Sequence, residues 1–126
     1  MLLVEDEQAA CEVARRGLER AGYRVLTAAD GQEALELVIA SAGELDLVIS
    51  DVVMPRMSGT KLRAELCRRY PDIPVVLMSG HAAELAPETE LGEQYLRKPY
   101  TLGQLTNLVR STLDRSPAER TAGRST

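Results

Sequence analysis

Leu47-Val48-Ile49-Ser50-Asp51, running on through Val52-Val53-Met54-Pro55-Arg56-Met57-Ser58-Gly59, is the stretch whose reading decides the fold. A short run of large apolar residues with no polar alternation reads as a strand covered on both faces. It ends on a carboxylate. Met54, Pro55 and Gly59 then shape a loop, and a helical pattern opens at Ser58 or Gly59, reaches about Arg69 and is closed by Pro71.

The same unit recurs on either side. Apolar runs lie at Leu2–Glu5, Tyr23–Ala28, Val75–Met78 and Gln94–Leu96. Gln8–Ala21 carries Val13, Ala14, Leu18 and Ala21 at helical spacing, with Arg15, Arg16, Glu19 and Arg20 turned outward and Gly22 suited to the helix end. Asp30-Gly31-Gln32-Glu33 reads as a capping box opening a helix through Ile39. Thr101-Leu102-Gly103-Gln104 reads as another, opening a last helix with Leu105, Leu108, Val109, Thr112 and Leu113 on one face. The segment His81–Glu93, broken by Pro87 and Gly92, predicts a short or poorly ordered fourth helix. Strand then helix, repeated five times, predicts an α/β fold with a parallel sheet and helices on both faces. One domain is expected over residues 1–114, and residues 115–126, rich in Arg, Ser and Thr, read as a disordered tail.

Composition narrows the function classes. The 126 residues are 44% hydrophobic, enough for one core. With 19 acidic against 15 basic residues the net charge is −4, and there is no Trp or Phe. Such a chain lacks both the positive field and the stacking surface for direct nucleic-acid binding. No apolar run is long enough for a membrane span, and the start lacks the features of a signal peptide. Cys11 and Cys67 have no metal-type spacing and read as reduced core or surface thiols in a reducing, cytoplasmic setting.

In a doubly wound sheet the chemistry sits at the C-terminal ends of the strands. Glu5 and Asp6 end the first run, Asp51 the third, Ser79 the fourth, and Lys98, before Pro99, the fifth. Carboxylates converging on one pocket repel one another and call for a cation. Mg2+ suits an all-oxygen site and keeps water positions for a phosphate oxygen, with Mn2+ as the alternative ion. Lys98 adds a second positive charge. A carboxylate so placed can act as a nucleophile and form an acyl phosphate.

These stretches resemble the response-regulator receiver domain of two-component signalling. The matching segments are Leu2-Leu3-Val4-Glu5-Asp6-Glu7, Asp51 through Gly59, Val75-Val76-Leu77-Met78-Ser79-Gly80 and Tyr95-Leu96-Arg97-Lys98-Pro99-Tyr100, and the resemblance covers Met1 to about Leu113. It implies a flavodoxin-like (βα)5 three-layer sandwich with strand order 2-1-3-4-5. It implies Asp51 as phosphoacceptor, with Asp6, Asp51, Glu5 and the backbone carbonyl of Val53 as Mg2+ ligands. Glu5 stands where the family more often has aspartate. Ser79 matches the hydroxyl that contacts the phosphoryl group, Lys98 the family's lysine before a cis-proline bond, and Tyr95 the switch aromatic. Val53 and His81 match positions that tune phosphoryl lifetime.

The implied partner is a histidine kinase or histidine phosphotransfer protein, docking near the first helix. The implied output is a change in the face formed by the fourth helix, fifth strand and last helix, which also admits a homodimer. The Val-Glu-Asp-Glu opening, the Asp-Val-Val-Met-Pro stretch and Met-Ser-Gly-His are most similar to receivers at the C-terminal end of hybrid sensor histidine kinases. With Met1 set directly at the first strand, the chain reads as a receiver cut from a longer protein or as a stand-alone regulator. Three other readings compete. An aspartyl-phosphate hydrolase would need a second aspartate where Val53 stands. A flavin module would need a phosphate-cradling loop where Glu5-Asp6-Glu7 stands. A degenerate, unphosphorylated interaction module would not require Asp51, Asp6 and Lys98 together.

Overall fold

The computed structural model describes residues 1–41, 44–80 and 95–114. In chain order its elements are β1 (Leu2–Val4), α1 (Gln8–Arg20), β2 (Leu26–Ala28), α2 (Gly31–Ser41), β3 (Val48–Asp51), α3 (Gly59–Arg69), β4 (Val75–Ser79), β5 (Tyr95–Arg97) and α4 (Leu102–Leu113). All strand pairs are parallel, in the order β2-β1-β3-β4-β5. This is the flavodoxin-like doubly wound sheet.

Alternation along the central strands β1, β3 and β4 explains why their sequences are largely apolar. Leu2 and Val4 of β1, Val48 of β3 and Val75 and Leu77 of β4 face one layer, where Ala34, Leu35 and Val38 of α2 and Leu62 and Leu66 of α3 cover them. The intervening Leu3, Ile49, Val76 and Met78 face the other, under Ala14 and Leu18 of α1 and Leu105 and Val109 of α4. A strand's side chains point alternately to the two faces, so a sheet sandwiched between helices leaves no polar phase.

Local chemistry sets the helix ends. Thr101 and Gln104 form the full reciprocal capping box of α4, with bonds of 3.0 and 2.8 Å. Ser58 caps α3 by accepting from the Lys61 N–H at 3.2 Å. At α2 the Asp30 carboxylate accepts from the Glu33 N–H at 2.9 Å. After α1, Gly22 takes φ +100°, the left-handed turn that its position after the helix predicts.

The differences from expectation lie at edges. Val13 does not share the inward stripe of α1 and stays 59% exposed. Ala14 and Leu18 are four residues apart and stack on one face, whereas Val13 is turned away from them. Ile39 of α2 is likewise exposed. β2 starts at Leu26 rather than Tyr23 because it is an edge strand with one neighbour, while Tyr23 and Val25 pack before it begins. The expected fourth helix and the tail from Arg115 lie outside the described residues. Among the described residues no helix is long and apolar enough to cross a membrane.

Candidate functional site

β1 pairs with β2 on one side and β3 on the other, so the winding reverses at β1. The crevice beyond the C-terminal ends of β1 and β3 is therefore where a doubly wound sheet accepts ligands. Glu5 follows β1 and is held by its N–H, which donates to the Ala28 carbonyl at 3.0 Å. Asp6 comes next and is exposed. Asp51 is the last residue of β3. Its carbonyl accepts from the Ser50 hydroxyl at 2.9 Å, and the Val52 N–H donates to Met78 of β4 at 3.0 Å. Ser79 ends β4 and is buried. Its carbonyl accepts from the Lys98 N–H at 2.9 Å and from the Tyr95 hydroxyl at 3.1 Å. One peptide group thus ties together the hydroxyl residue, the aromatic and the lysine.

The side chains converge. Lys98 Nζ lies 2.9 Å from Asp51 Oδ1 and 3.1 Å from Glu5 Oε1. Carboxylate oxygens of Glu5, Asp6 and Asp51 lie within 4.8 Å of one another. Desolvation, reinforced by the hydrogen bond and charge of Asp51, pushes the Glu5 carboxyl up to about 7, against the lowering pull of Lys98. Burial alone would lower the Lys98 ammonium, but Asp51 and Glu5 hold it above its ordinary value. One ammonium facing three carboxylates leaves an excess of negative charge. An all-oxygen donor set with such an excess fits a hard divalent cation.

Val53 sits on the loop after β3 with its side chain exposed, and the Lys98–Pro99 peptide is cis. His81 lies outside the described residues. Two close approaches escaped sequence reasoning. A Cβ on Gly59 would lie 2.1 Å from the Asp51 carbonyl oxygen, so the start of α3 is pressed against the backbone of Asp51. Arg56 forms a two-point ion pair with Asp30, 26 positions earlier. The glycine was visible as a loop residue, but no local pattern links Asp30 to Arg56.

Beside the acidic cluster a groove of about 620 Å³ runs between α1 and the segment following β5. Ala10, Val13, Pro99, Tyr100 and Leu102 give it an apolar wall, and Glu5 and Lys98 lie at its edge. Two arginines of α1 are otherwise engaged, Arg15 with Glu12 and Glu19, and Arg16 with Glu12.

Comparison with known proteins agrees with this geometry. The family model described as response regulator receiver domain matches residues 1–110. Sensor kinase CckA of Brucella abortus is 42% identical over 120 residues, which are 91% of this chain and 12% of that protein. The chain also spans only about half the length of several other curated relatives. The crystal structure of the receiver domain from hybrid histidine kinase CckA superposes with a TM-score of 0.75 at 38% identity, covering 90% of this chain and 97% of that one. Response regulator TrrA of Thermotoga maritima, solved in complex with Mg(2+)-BeF, gives a TM-score of 0.78 at 28% identity, covering 88% and 96%. Taken with the strand order and the acidic cluster beside Lys98, these matches show that the chain belongs to the response regulator receiver domain family, a signalling phosphoacceptor module and not a conventional enzyme.

Proposed function

We propose that Asp51 is the phosphoacceptor, that Glu5, Asp6 and Asp51 with the Val53 carbonyl hold Mg2+ or Mn2+, and that the donor is a phosphohistidine on a kinase or histidine phosphotransfer protein. The observation that carries this reading is the convergence of Lys98 Nζ on Asp51 and Glu5, at 2.9 and 3.1 Å, inside a cluster of carboxylates. An Asp51 oxygen attacks phosphorus, and the phosphorus–nitrogen bond to the partner's imidazole breaks. The imidazole keeps the electron pair and takes up a proton, leaving an acyl phosphate on Asp51. When bound, the metal ion supplies positive charge for the phosphoryl oxygens. Lys98, already beside the attacking carboxylate, supplies the protein's own share of that charge.

The Ser79 hydroxyl donates a hydrogen bond to the transferred group, and the shift passes to Tyr95 through the Ser79 carbonyl, which accepts from both Tyr95 and Lys98. The face carrying β5 and α4 then changes its partner preference, and a homodimer through it is one outcome. Val53 brings no polar side-chain group to orient a hydrolytic water, so the acyl phosphate is long-lived; His81 is the second position assigned to lifetime. The apolar groove beside the cluster supports docking of the partner along Val13 and Leu102 rather than on the paired arginines. Similarity to CckA supports a receiver that belongs to a hybrid kinase.

The test is incubation with acetyl phosphate or a phosphorylated kinase, with and without Mg2+, read by intact mass. The wild type gains one phosphoryl group only when the metal is present, and Asp51→Asn gains none. Equal labelling of Asp51→Asn refutes the assignment. A half-life of seconds that Val53→Ala lengthens refutes the lifetime reading.

A further inference from the structure

The loop between β3 and α3 is held from two sides. At its base the Gly59 N–H donates to the Val52 carbonyl at 2.8 Å. At its tip Arg56 has φ 65°, the left-handed region that favours glycine. A non-glycine residue stays there only when its surroundings over-determine it. Here the surroundings are Asp30. Arg56 Nε donates to Asp30 Oδ2 at 2.9 Å, and Nη2 donates to Oδ1 at 3.1 Å, the planar fork that lysine cannot copy. Asp30 is itself immobilised, being 8% exposed and bound to the first turn of α2 through the Glu33 N–H. Gly31 completes the interlock, since a Cβ there would lie 2.5 Å from the Met57 carbonyl oxygen.

The Arg56 side chain is 60% exposed, so solvent screens much of the pair's effect on global stability. Glycine at this position would also adopt φ 65° without steric cost. The arrangement therefore holds a loop conformation that glycine would adopt more readily, and what it adds is a fixed position.

We propose that Arg56 and Asp30 are positioning residues for the phosphoryl-transfer site: their fork anchors the tip of the loop to α2, so that the backbone of residues 51–53 keeps its place beside Glu5 and Asp6. This rests on the reading of that cluster as the divalent-cation site. The clamp sets cation affinity and the rate of Asp51 phosphorylation, with little effect on folding.

The experiment compares the full chain as wild type, Arg56→Gly, Arg56→Lys and Asp30→Asn. MgCl2 alone is titrated by calorimetry and by amide NMR shifts, melting midpoints are recorded, and acetyl phosphate labelling rates are measured. Loss of an outer support of a metal site commonly weakens affinity by about tenfold or more. Arg56→Gly is expected to weaken Mg2+ binding by about tenfold and slow labelling in parallel, with its melting midpoint close to wild type. Arg56→Lys is expected to recover part of both, and Asp30→Asn to follow Arg56→Gly in Mg2+ affinity and labelling, with some loss of melting midpoint because it also removes the charged partner of the Glu33 N–H. Unchanged Mg2+ affinity in Arg56→Gly overturns the proposal. So does an affinity loss that merely tracks falling melting midpoints across the variants. Failure of the wild type to bind Mg2+ overturns it together with the cation-site reading, which distinguishes the two.

Discussion

Gly59→Ala gives the sharpest test of how the fold positions Asp51. The added Cβ would lie 2.1 Å from the Asp51 carbonyl oxygen, 2.9 Å from its carbonyl carbon and 3.0 Å from the Val52 Cα. All three are backbone atoms, so no side chain can swing aside. Relief requires the start of α3 to move from β3 by about 1.4 Å, the gap between that contact and ordinary van der Waals separation of about 3.5 Å. That movement breaks the 2.8 Å bond from the Gly59 N–H to the Val52 carbonyl, a loss of about 1 kcal/mol. Overpacking adds about 1–3 kcal/mol, and the better helix propensity of alanine returns about 1 kcal/mol. The net expectation is destabilisation by about 1–3 kcal/mol, with Asp51 displaced and its phosphorylation impaired. Urea denaturation followed by circular dichroism measures the first, and acetyl phosphate labelling the second. Gly103→Ala is the control, because its nearest neighbour would be the Thr101 hydroxyl at 3.7 Å, and it should be neutral or mildly stabilising. A Gly59→Ala protein within about 0.5 kcal/mol of wild type, labelled at the wild-type rate, would show that the close approach of α3 to Asp51 does not hold in solution.

Other outcomes follow from the same geometry. Lys98→Met removes the ammonium between Asp51 and Glu5 and should slow labelling by about a hundredfold, a loss typical of one charge-stabilising donor; a rate within twofold of wild type in stopped-time mass spectrometry would argue that Lys98 is only a surface pair. Mg2+ should raise the melting midpoint, adding about 1.4 kcal/mol at ten times its dissociation constant, and Asp6→Ala should abolish most of that gain in differential scanning calorimetry. The Asp30 carboxyl is held below its ordinary value by the Glu33 N–H and by Arg56. Its contribution to stability is therefore complete above the ordinary aspartate value of about 3.9 and is lost as pH falls through the depressed one. Urea midpoints across the acid range should show Asp30→Asn losing less stability on acidification than wild type; parallel curves would contradict this.

Much of the molecule is legible from one-dimensional pattern. The strands β1, β3 and β4 carry apolar residues on both faces up to the polar residues near their C-terminal ends, so runs such as Leu47–Ile49 and Val75–Met78 read as central strands of a covered sheet. Caps at Ser58 and Thr101 mark helix starts because their partners are three residues away. Edges are harder to read: Tyr23–Val25 has strand-like composition, but ladder pairing begins only at Leu26, where β1 offers a neighbour. Val13 and Ile39 are apolar yet exposed, since a helix face becomes core only where another layer lies over it.

The candidate site divides along the same line. Sequence alone identifies Glu5, Asp6, Asp51, Ser79 and Lys98 as strand-end residues, because parallel strands of one sheet all end on one side. Distances belong to the tertiary structure. Only the pairing of β1 with β3, β3 with β4 and β4 with β5 brings Lys98 to both Asp51 and Glu5, residues 47 and 93 positions away, since 98 − 51 = 47 and 98 − 5 = 93. The grip of Asp30 on Arg56 is likewise a product of the assembled fold. Local pattern reports which side chains a turn of helix or a strand can satisfy for itself; which distant charges meet is decided when the layers close.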